Sequence, residues 1–137
     1  MTEDIEEIRR QKLAELRNRA ETGGAEEPAS QSPSEPVHVD GDAELSETVA
    51  EYDPVLVDFY ADWCGPCQML EPIVEAIAAD TDATVAKVDV DANQRLASDY
   101  GVRGVPTLVL FADGQPAERL VGMQDEAKLR SVIEEHA

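Results

Sequence analysis

Cysteine and basic residues are scarce in this 137-residue chain. It has two cysteines and three lysines, and its 11 basic residues face 30 acidic ones, for a net charge of −19. The cysteines are three positions apart, so their pairing closes too small a loop to stabilise a small secreted fold. No apolar run approaches the roughly 18 residues that a membrane span requires. A disulfide-stapled scaffold and a membrane-spanning protein are both excluded.

The excess of negative charge also bears on partners. An acidic surface repels phosphate backbones and anionic lipids, so we expect no binding to nucleic acid or to a membrane surface. Residues 37–137 carry 21 acids and 6 bases, so most of the charge belongs to the domain they form. A generic solvated surface is one explanation. We favour a second, adaptation to a high-salt cytoplasm, where acidic, lysine-poor surfaces are common.

Residues 1–36 form a predicted N-terminal extension. An apolar stripe at helical spacing predicts a helix over residues 3–20, and the segment from Glu26 to Pro36 is typical of a linker. The helix is either a solvated extension or docks on the domain or a partner. The acidic start has no apolar core of a secretory signal, so we expect a cytoplasmic protein.

Residues 37–137 read as alternating strands and helices. Predicted strands cover 55–60, 84–90, 107–111 and 117–121, with a hairpin at Asp113-Gly114. Predicted helices follow Asp42 and Asp125, each of which can cap the helix after it, and two more begin after Cys64 and at Gln94. This order predicts an α/β domain with a central mixed β-sheet covered by helices on both faces.

Both cysteines lie in one motif, Trp63-Cys64-Gly65-Pro66-Cys67, between a buried-strand pattern and a helix. Two cysteines at this spacing and position are typical of a redox-active pair. A helix N-terminus stabilises negative charge through its dipole and its free amide donors, and the thiolate is the form that attacks disulfides. The motif therefore predicts dithiol–disulfide exchange.

From residue 37 to the end, the chain resembles the thioredoxin family. The resemblance depends on four blocks in register: residues 58–67, 86–91, 100–107 and the pair Val121-Gly122. It implies the thioredoxin fold and a protein-disulfide reductase that needs no cofactor beyond the Cys64–Cys67 pair. It also implies a monomer that works with disulfide-containing clients and a thioredoxin reductase, of the flavin and NADPH type or with a ferredoxin-linked donor as the alternative.

The resemblance assigns a role to each cysteine. Cys64, exposed at the helix start, would attack a substrate disulfide and form a mixed disulfide. Cys67, one turn further and more buried, would resolve that intermediate. Gly65-Pro66 would keep the two sulfurs within bonding reach.

Asp58 lies in the middle of an apolar strand, where a carboxylate is costly unless it is satisfied or functional. The resemblance places it beneath Cys67 as the acceptor of that thiol's proton; a strand-end acid facing solvent is the alternative. Lys87 would be its charge partner, or else an exposed strand lysine. Asp62 and Glu71 add negative charge nearby, which raises the cost of a thiolate at Cys64, although salt would screen the exposed charges.

Pro106 matches the family position of a cis peptide bond that faces the disulfide; an ordinary trans turn is the alternative. In the cis form it would free the Val105 backbone to pair with a substrate strand and would keep metal ions from the thiols. An apolar substrate rim is implied around it, consisting of Trp63, Gly65, Pro66, Val105, Gly122 and Met123. For Trp63 and Met123, a purely packing role is the competing interpretation.

Three other functions fit a C-x-x-C pair. A zinc site would need two more ligands, and the chain offers only His38 and His136, which do not have ligand spacing, so we expect no metal. A redox switch that controls association would use the same disulfide without turnover. An oxidant or isomerase would use the same fold, although Gly-Pro between the cysteines favours the reducing direction.

The salt-adapted interpretation makes the first testable prediction. At about 1 M salt the Debye length is roughly 3 Å, so repulsion among the acidic residues is largely screened. We expect the melting temperature to fall when salt is lowered from molar to millimolar. An unchanged melting temperature in a calorimetric salt series would contradict it.

Overall fold

The computed structural model describes residues 32–136. The predicted helix over residues 3–20 and most of the linker lie outside the described residues. Within these residues the chain forms five strands, namely β1 (Val37–His38), β2 (Val55–Tyr60), β3 (Thr84–Asp89), β4 (Thr107–Ala112) and β5 (Gln115–Val121). The same part of the chain forms four helices, namely α1 (Gly41–Glu51), α2 (Gly65–Asp80), α3 (Gln94–Asp99) and α4 (Glu126–Glu135). Across residues 32–136, no helix has both the length and the apolar character needed to cross a membrane.

The strands form one mixed sheet in the order β1-β3-β2-β4-β5. β2 is central, and it pairs in parallel with β3 and antiparallel with β4. β5 closes the sheet as the antiparallel partner of β4. The predicted mixed α/β sheet is confirmed.

Helices cover both faces of this sheet because side chains alternate along each strand. One core joins buried residues of α2 and α4, such as Leu70 and Leu129, to Leu56 of β2. The other core joins Leu45 of α1 and Leu96 of α3 to the opposite face of the sheet. β2 is therefore covered on both sides, and any polar side chain on it is removed from water.

The β4–β5 hairpin forms at Asp113-Gly114, as the sequence predicts. Both residues have positive φ, 56° and 78°. A two-residue hairpin with this backbone twist suits the twist of the strands it joins, and Asp-Gly is a preferred pair for it. The structure extends β5 two residues earlier than predicted, to Gln115.

Two details of the N-terminal part differ from the sequence predictions. Asp42 does not cap α1: the cap position is Asp40, and Asp42 lies in the first turn. The free donors at this helix start are instead bound by the Glu44 carboxylate, which accepts from the Asp40 N–H, and by the Asn93 amide oxygen, which accepts from the Gly41 N–H. The two-residue strand β1 was not predicted because it is too short to show alternation.

Candidate active site

The cysteine pair lies at the start of α2, directly after the loop that follows β2. Cys64 occupies the N-cap position and Cys67 lies in the first turn, and the two form a disulfide with their Cα atoms 5.2 Å apart. Pro66 falls at a first-turn position where a helix loses nothing by lacking an N–H. The backbone N–H of Cys67 donates to the Cys64 sulfur at 3.1 Å.

This geometry favours a thiolate at Cys64 once the disulfide is reduced. An N-cap side chain accepts a hydrogen bond from one of the helix's free amides, and here that acceptor is sulfur. The hydrogen bond and the positive end of the helix dipole both stabilise negative charge at this atom, and both lower a thiol's pKa. Cys67 lies within the first turn and does not occupy the cap position.

The expected difference in exposure between the cysteines is not present in the disulfide form. Cys64 and Cys67 are each 4% exposed, so the prediction of an exposed Cys64 is wrong for this state. Cys64 and Cys67 form a small buried cluster with Ala61, against which Val105 packs.

Asp58 lies on the α2-facing side of β2 and is 1% exposed. The alternative of a solvent-facing acid is wrong. Among the described residues, its Oδ1 atom has no hydrogen-bond partner. Burial raises the pKa of this carboxyl to about 7; the positive charge of Lys87 acts in the opposite direction, and the negative charge of Glu71 raises the pKa further.

Lys87 pairs with Asp58 in the register of β2 and β3, so the two side chains point to the same face of the sheet. It is 4% exposed, which rules out an exposed strand lysine. Its ammonium lies 4.3 Å from the centre of the Tyr60 ring and forms an ion pair with Glu71 of α2. Within the described part of the chain, no ion pair joins Lys87 to Asp58. Lys87 is thus a charged neighbour of Asp58 whose direct partner is Glu71.

The loop before β4 contributes the rim of the site. The Val105–Pro106 peptide bond is cis, as the resemblance implies. The Pro106 carbonyl accepts a hydrogen bond from the Gly122 N–H at 2.8 Å, which joins two segments that are 16 positions apart in the sequence. Gly122 has a φ of 89°, a conformation that L side chains rarely adopt.

Trp63 and Met123 are exposed, at 71% and 41%. A purely packing role does not suit side chains with this much surface in water, which leaves the predicted substrate rim as the interpretation we retain. The Trp63 indole N–H donates to the Asp91 carboxylate at 2.8 Å, and this bond orients the ring. Gly65 and Pro66 are exposed beside them.

Asp91 and Glu71 make side-chain contacts at the site that were not predicted from the sequence. Asp91 holds the Trp63 indole, and the run Asp89-Val90-Asp91 after β3 was the available signal. Glu71 holds Lys87, and its position four residues after Cys67 on one helix face was the signal.

A group of side chains that could hold a metal does exist within residues 32–136, but it does not include a cysteine. It consists of Glu118, Glu135 and His136, whose ligand atoms lie within 4.8 Å of one another. His136 Nε2 lies 3.0 Å from the Glu118 carboxylate, so an ordinary hydrogen bond accounts for this contact. The zinc interpretation of the C-x-x-C motif gains no support, because the cysteines are bonded to each other.

The chain is similar to known proteins that are named thioredoxin. A family model described as Thioredoxin matches residues 36–135. A thioredoxin from Chlamydia muridarum is 51% identical over 83 residues, which are 60% of this chain and 81% of that protein. A thioredoxin from Mycobacterium tuberculosis is 50% identical over 86 residues, 61% and 74% of the two chains. The structure of a mutant thioredoxin from Halobacterium salinarum is 63% identical with a TM-score of 0.76, covering 78% of this chain and 95% of that one.

The pKa of Asp58 predicts how an Asp58→Asn variant depends on pH. The folded protein binds this proton more tightly than the unfolded chain does, with a pKa of about 7 against the ordinary 3.8. The contribution of Asp58 to wild-type stability therefore falls as pH rises from about 4 to about 7, by about 4 kcal/mol at 1.36 kcal/mol per pH unit. The Asp58→Asn variant lacks this loss, so its free energy of unfolding relative to that of the wild type should rise over the same pH interval.

Denaturant unfolding of the oxidised protein between pH 4 and pH 9, at constant high salt, measures this difference. Asp62→Asn, which removes an exposed carboxylate nearby, is the matched control and should follow the wild-type curve. Parallel curves for wild type and Asp58→Asn would contradict the assignment of a raised pKa.

Proposed function

The chain belongs to the thioredoxin family and is a thiol–disulfide oxidoreductase, and from this premise we propose how its own residues reduce protein disulfides. The observation that carries the proposal is the Cys64–Cys67 disulfide at the N-terminus of α2, with an amide N–H 3.1 Å from the Cys64 sulfur. The redox-active pair takes the place of a separate cofactor.

In the first step, the Cys64 thiolate attacks one sulfur of a substrate disulfide. A bond forms between Cys64 and that sulfur, and the other substrate sulfur leaves as a thiolate. The helix N-terminus supplies the stabilisation that keeps Cys64 ionised at neutral pH.

In the second step, Cys67 resolves the mixed disulfide. Its thiol passes a proton to the Asp58 carboxylate, directly or through water, and the resulting thiolate attacks the Cys64 sulfur. The Cys64–Cys67 bond reforms and the second substrate thiolate leaves, so two electrons pass to the substrate. A base works best when its pKa is near the working pH, and the pKa of about 7 for Asp58 meets that condition. Lys87 tunes this carboxyl by its charge.

Substrate docks on the exposed rim beside the disulfide. The Val105 backbone, freed by the cis bond to Pro106, pairs with an extended substrate segment in the manner of an added strand. Apolar contacts come from the exposed faces of Trp63, Gly65, Pro66, Gly122 and Met123. Backbone pairing depends little on the side chains of the substrate, so this surface can bind many different client proteins.

Proteins of this family generally work with a thioredoxin reductase and disulfide-containing substrates. For this chain we propose a reductase of the flavin and NADPH type as the donor that returns electrons to Cys64 and Cys67, and a monomer as the working form. The acidic, lysine-poor composition suits a cytoplasm of high salt, in agreement with the likeness to a thioredoxin from the halophile Halobacterium salinarum. We place the protein in the cytoplasm, with residues 1–36 as an extension outside the catalytic domain.

The two-step mechanism predicts that Asp58→Asn slows resolution and spares the first attack. Loss of a positioned base costs about 10²-fold at the lower end of its usual contribution. Stopped-flow measurement on a fluorescent disulfide peptide separates the steps. Cys67→Ser with and without Asp58→Asn reports the first attack, and peptide release by the variants with both cysteines reports resolution.

Asp62→Asn is the control for a nearby loss of charge and should leave both rates within about twofold of wild type, since an exposed carboxylate has little electrostatic effect. Equal slowing of both steps in Asp58→Asn would overturn the proposed base. Binding without turnover, measured as mixed disulfides that form but never resolve in the wild-type chain, would favour the redox-switch interpretation.

A further inference from the structure

A cleft of about 270 Å³ lies beside Cys67 on the α2-covered face of the sheet. Tyr60 and Lys87 line it from the strands, Cys67 and Glu71 from α2, and His38 from β1. One water molecule occupies about 30 Å³ in the liquid, so this polar cleft has room for several. The proposed proton transfer from Cys67 to Asp58 thus takes place next to a route for water.

Three charged groups are layered between this cleft and the interior. Asp58 is deepest, with 1% exposure and an Oδ1 atom that accepts no hydrogen bond from the described residues. The Lys87 side chain, 5% exposed, is its neighbour on β3, and its ammonium is bound by the Glu71 carboxylate. Glu71 is 39% exposed in its side chain and lies at the outer edge.

Asp58 and Glu71 compete for the Lys87 ammonium, and their different exposure to water decides which of them binds it. The charged form of a buried carboxylate cannot be hydrated by water, so burial makes ionisation costly. A carboxylate that is more than a third exposed keeps much of its hydration. Glu71 therefore binds Lys87 at a lower desolvation cost than Asp58 would. Without Glu71, the ammonium would be free to approach Asp58, its cross-strand partner, and its positive charge favours the ionised form of that carboxyl.

We propose that Glu71 is a positioning residue for the disulfide-exchange reaction: it holds the Lys87 ammonium toward the mouth of the cleft, so that Asp58 has no direct ion-pair partner and exchanges its proton with water beside Cys67. Glu71 touches none of the reacting atoms and acts through Lys87. The inference rests on the proposed role of Asp58 and adds the residue that sets how readily this carboxyl takes and releases a proton.

Other titratable groups face this region from the elements around it. Tyr60 lies on β2, Asp89 on β3, His38 on β1 and Asp62 in the loop before α2. The residue paired with Asp58 on β4 is Leu108, and the buried face of α4 is apolar, so neither element adds a charge. Glu71 is thus the acidic group that both binds Lys87 and raises the pKa of Asp58.

The test is the titration of the Asp58 carboxyl carbon, followed by NMR in the oxidised full-length protein at constant high salt. Glu71→Gln removes the charge and keeps the length of a good helix former. Its two effects have the same sign: loss of the nearby negative charge and release of Lys87 toward Asp58 both favour the ionised carboxyl. The midpoint should fall by roughly one pH unit.

Two further variants distinguish the positioning of Lys87 by Glu71 from a general loss of negative charge on α2. Glu75→Gln removes the same charge from an exposed site one turn further along α2, and it should leave the midpoint unchanged. Glu71→Asp keeps the charge but shortens the reach to Lys87, so its midpoint should lie between those of wild type and Glu71→Gln. An unchanged or raised midpoint in Glu71→Gln, or an equal fall in Glu75→Gln, overturns the proposal.

The pH profile of mixed-disulfide resolution, recorded on the same variants, tests the consequence for the reaction. Its acid limb should move to lower pH in Glu71→Gln together with the Asp58 midpoint. A moved midpoint with an unchanged profile supports the positioning of Lys87 by Glu71 and overturns the base role of Asp58. The two failures are therefore distinguishable.

Discussion

The junction between β2 and α2 is the constraint on which the chemistry depends. A strand buried on both faces ends where a helix begins, so one sulfur occupies a helix N-terminus and a carboxylate lies inside the domain on the preceding strand. The helix end supplies positive potential and an amide donor to the sulfur from the backbone itself. In a chain with so few basic residues, this backbone source of positive potential carries the activation of Cys64.

The same junction explains why the protein accepts an unfavourable group in its core. Asp58 replaces what would be an apolar side chain among Leu56, Leu70 and Leu108, and above neutral pH its charge lowers stability. A pKa near the working pH follows from that burial and is what a proton acceptor for Cys67 requires. The charges of Lys87 and Glu71 shift the pKa of Asp58 in opposite directions. Their ion pair at the mouth of the cleft leaves Asp58 Oδ1 without a hydrogen-bond partner among the described residues. Stability and reactivity are set here by the same few contacts.

Sequence patterns were sufficient for four of the five described strands, the helices and the position of the cysteine pair, because apolar periodicity and the Asp113-Gly114 turn are local signals. They also identified Asp58, since a charge inside a continuous apolar strand stands out. They did not predict the Lys87–Glu71 ion pair, because this contact depends on tertiary structure. The order of the strands places β3 beside β2, and α2 packs over both. The burial of Cys64 was missed for a related reason: it depends on the disulfide to Cys67 and on packing against Ala61 and Val105, which are contacts made by the folded chain.

The most direct test of the account is the alkylation of the reduced full-length protein by iodoacetamide as a function of pH, with each cysteine followed separately by mass spectrometry. Cys64 should be modified first, with a midpoint well below the value of about 8.5 for a free thiol. Cys67 should stay protected until Cys64 has reacted. A rate at Cys64 no greater than that of the same thiol in the denatured chain, or faster modification of Cys67, would contradict the account.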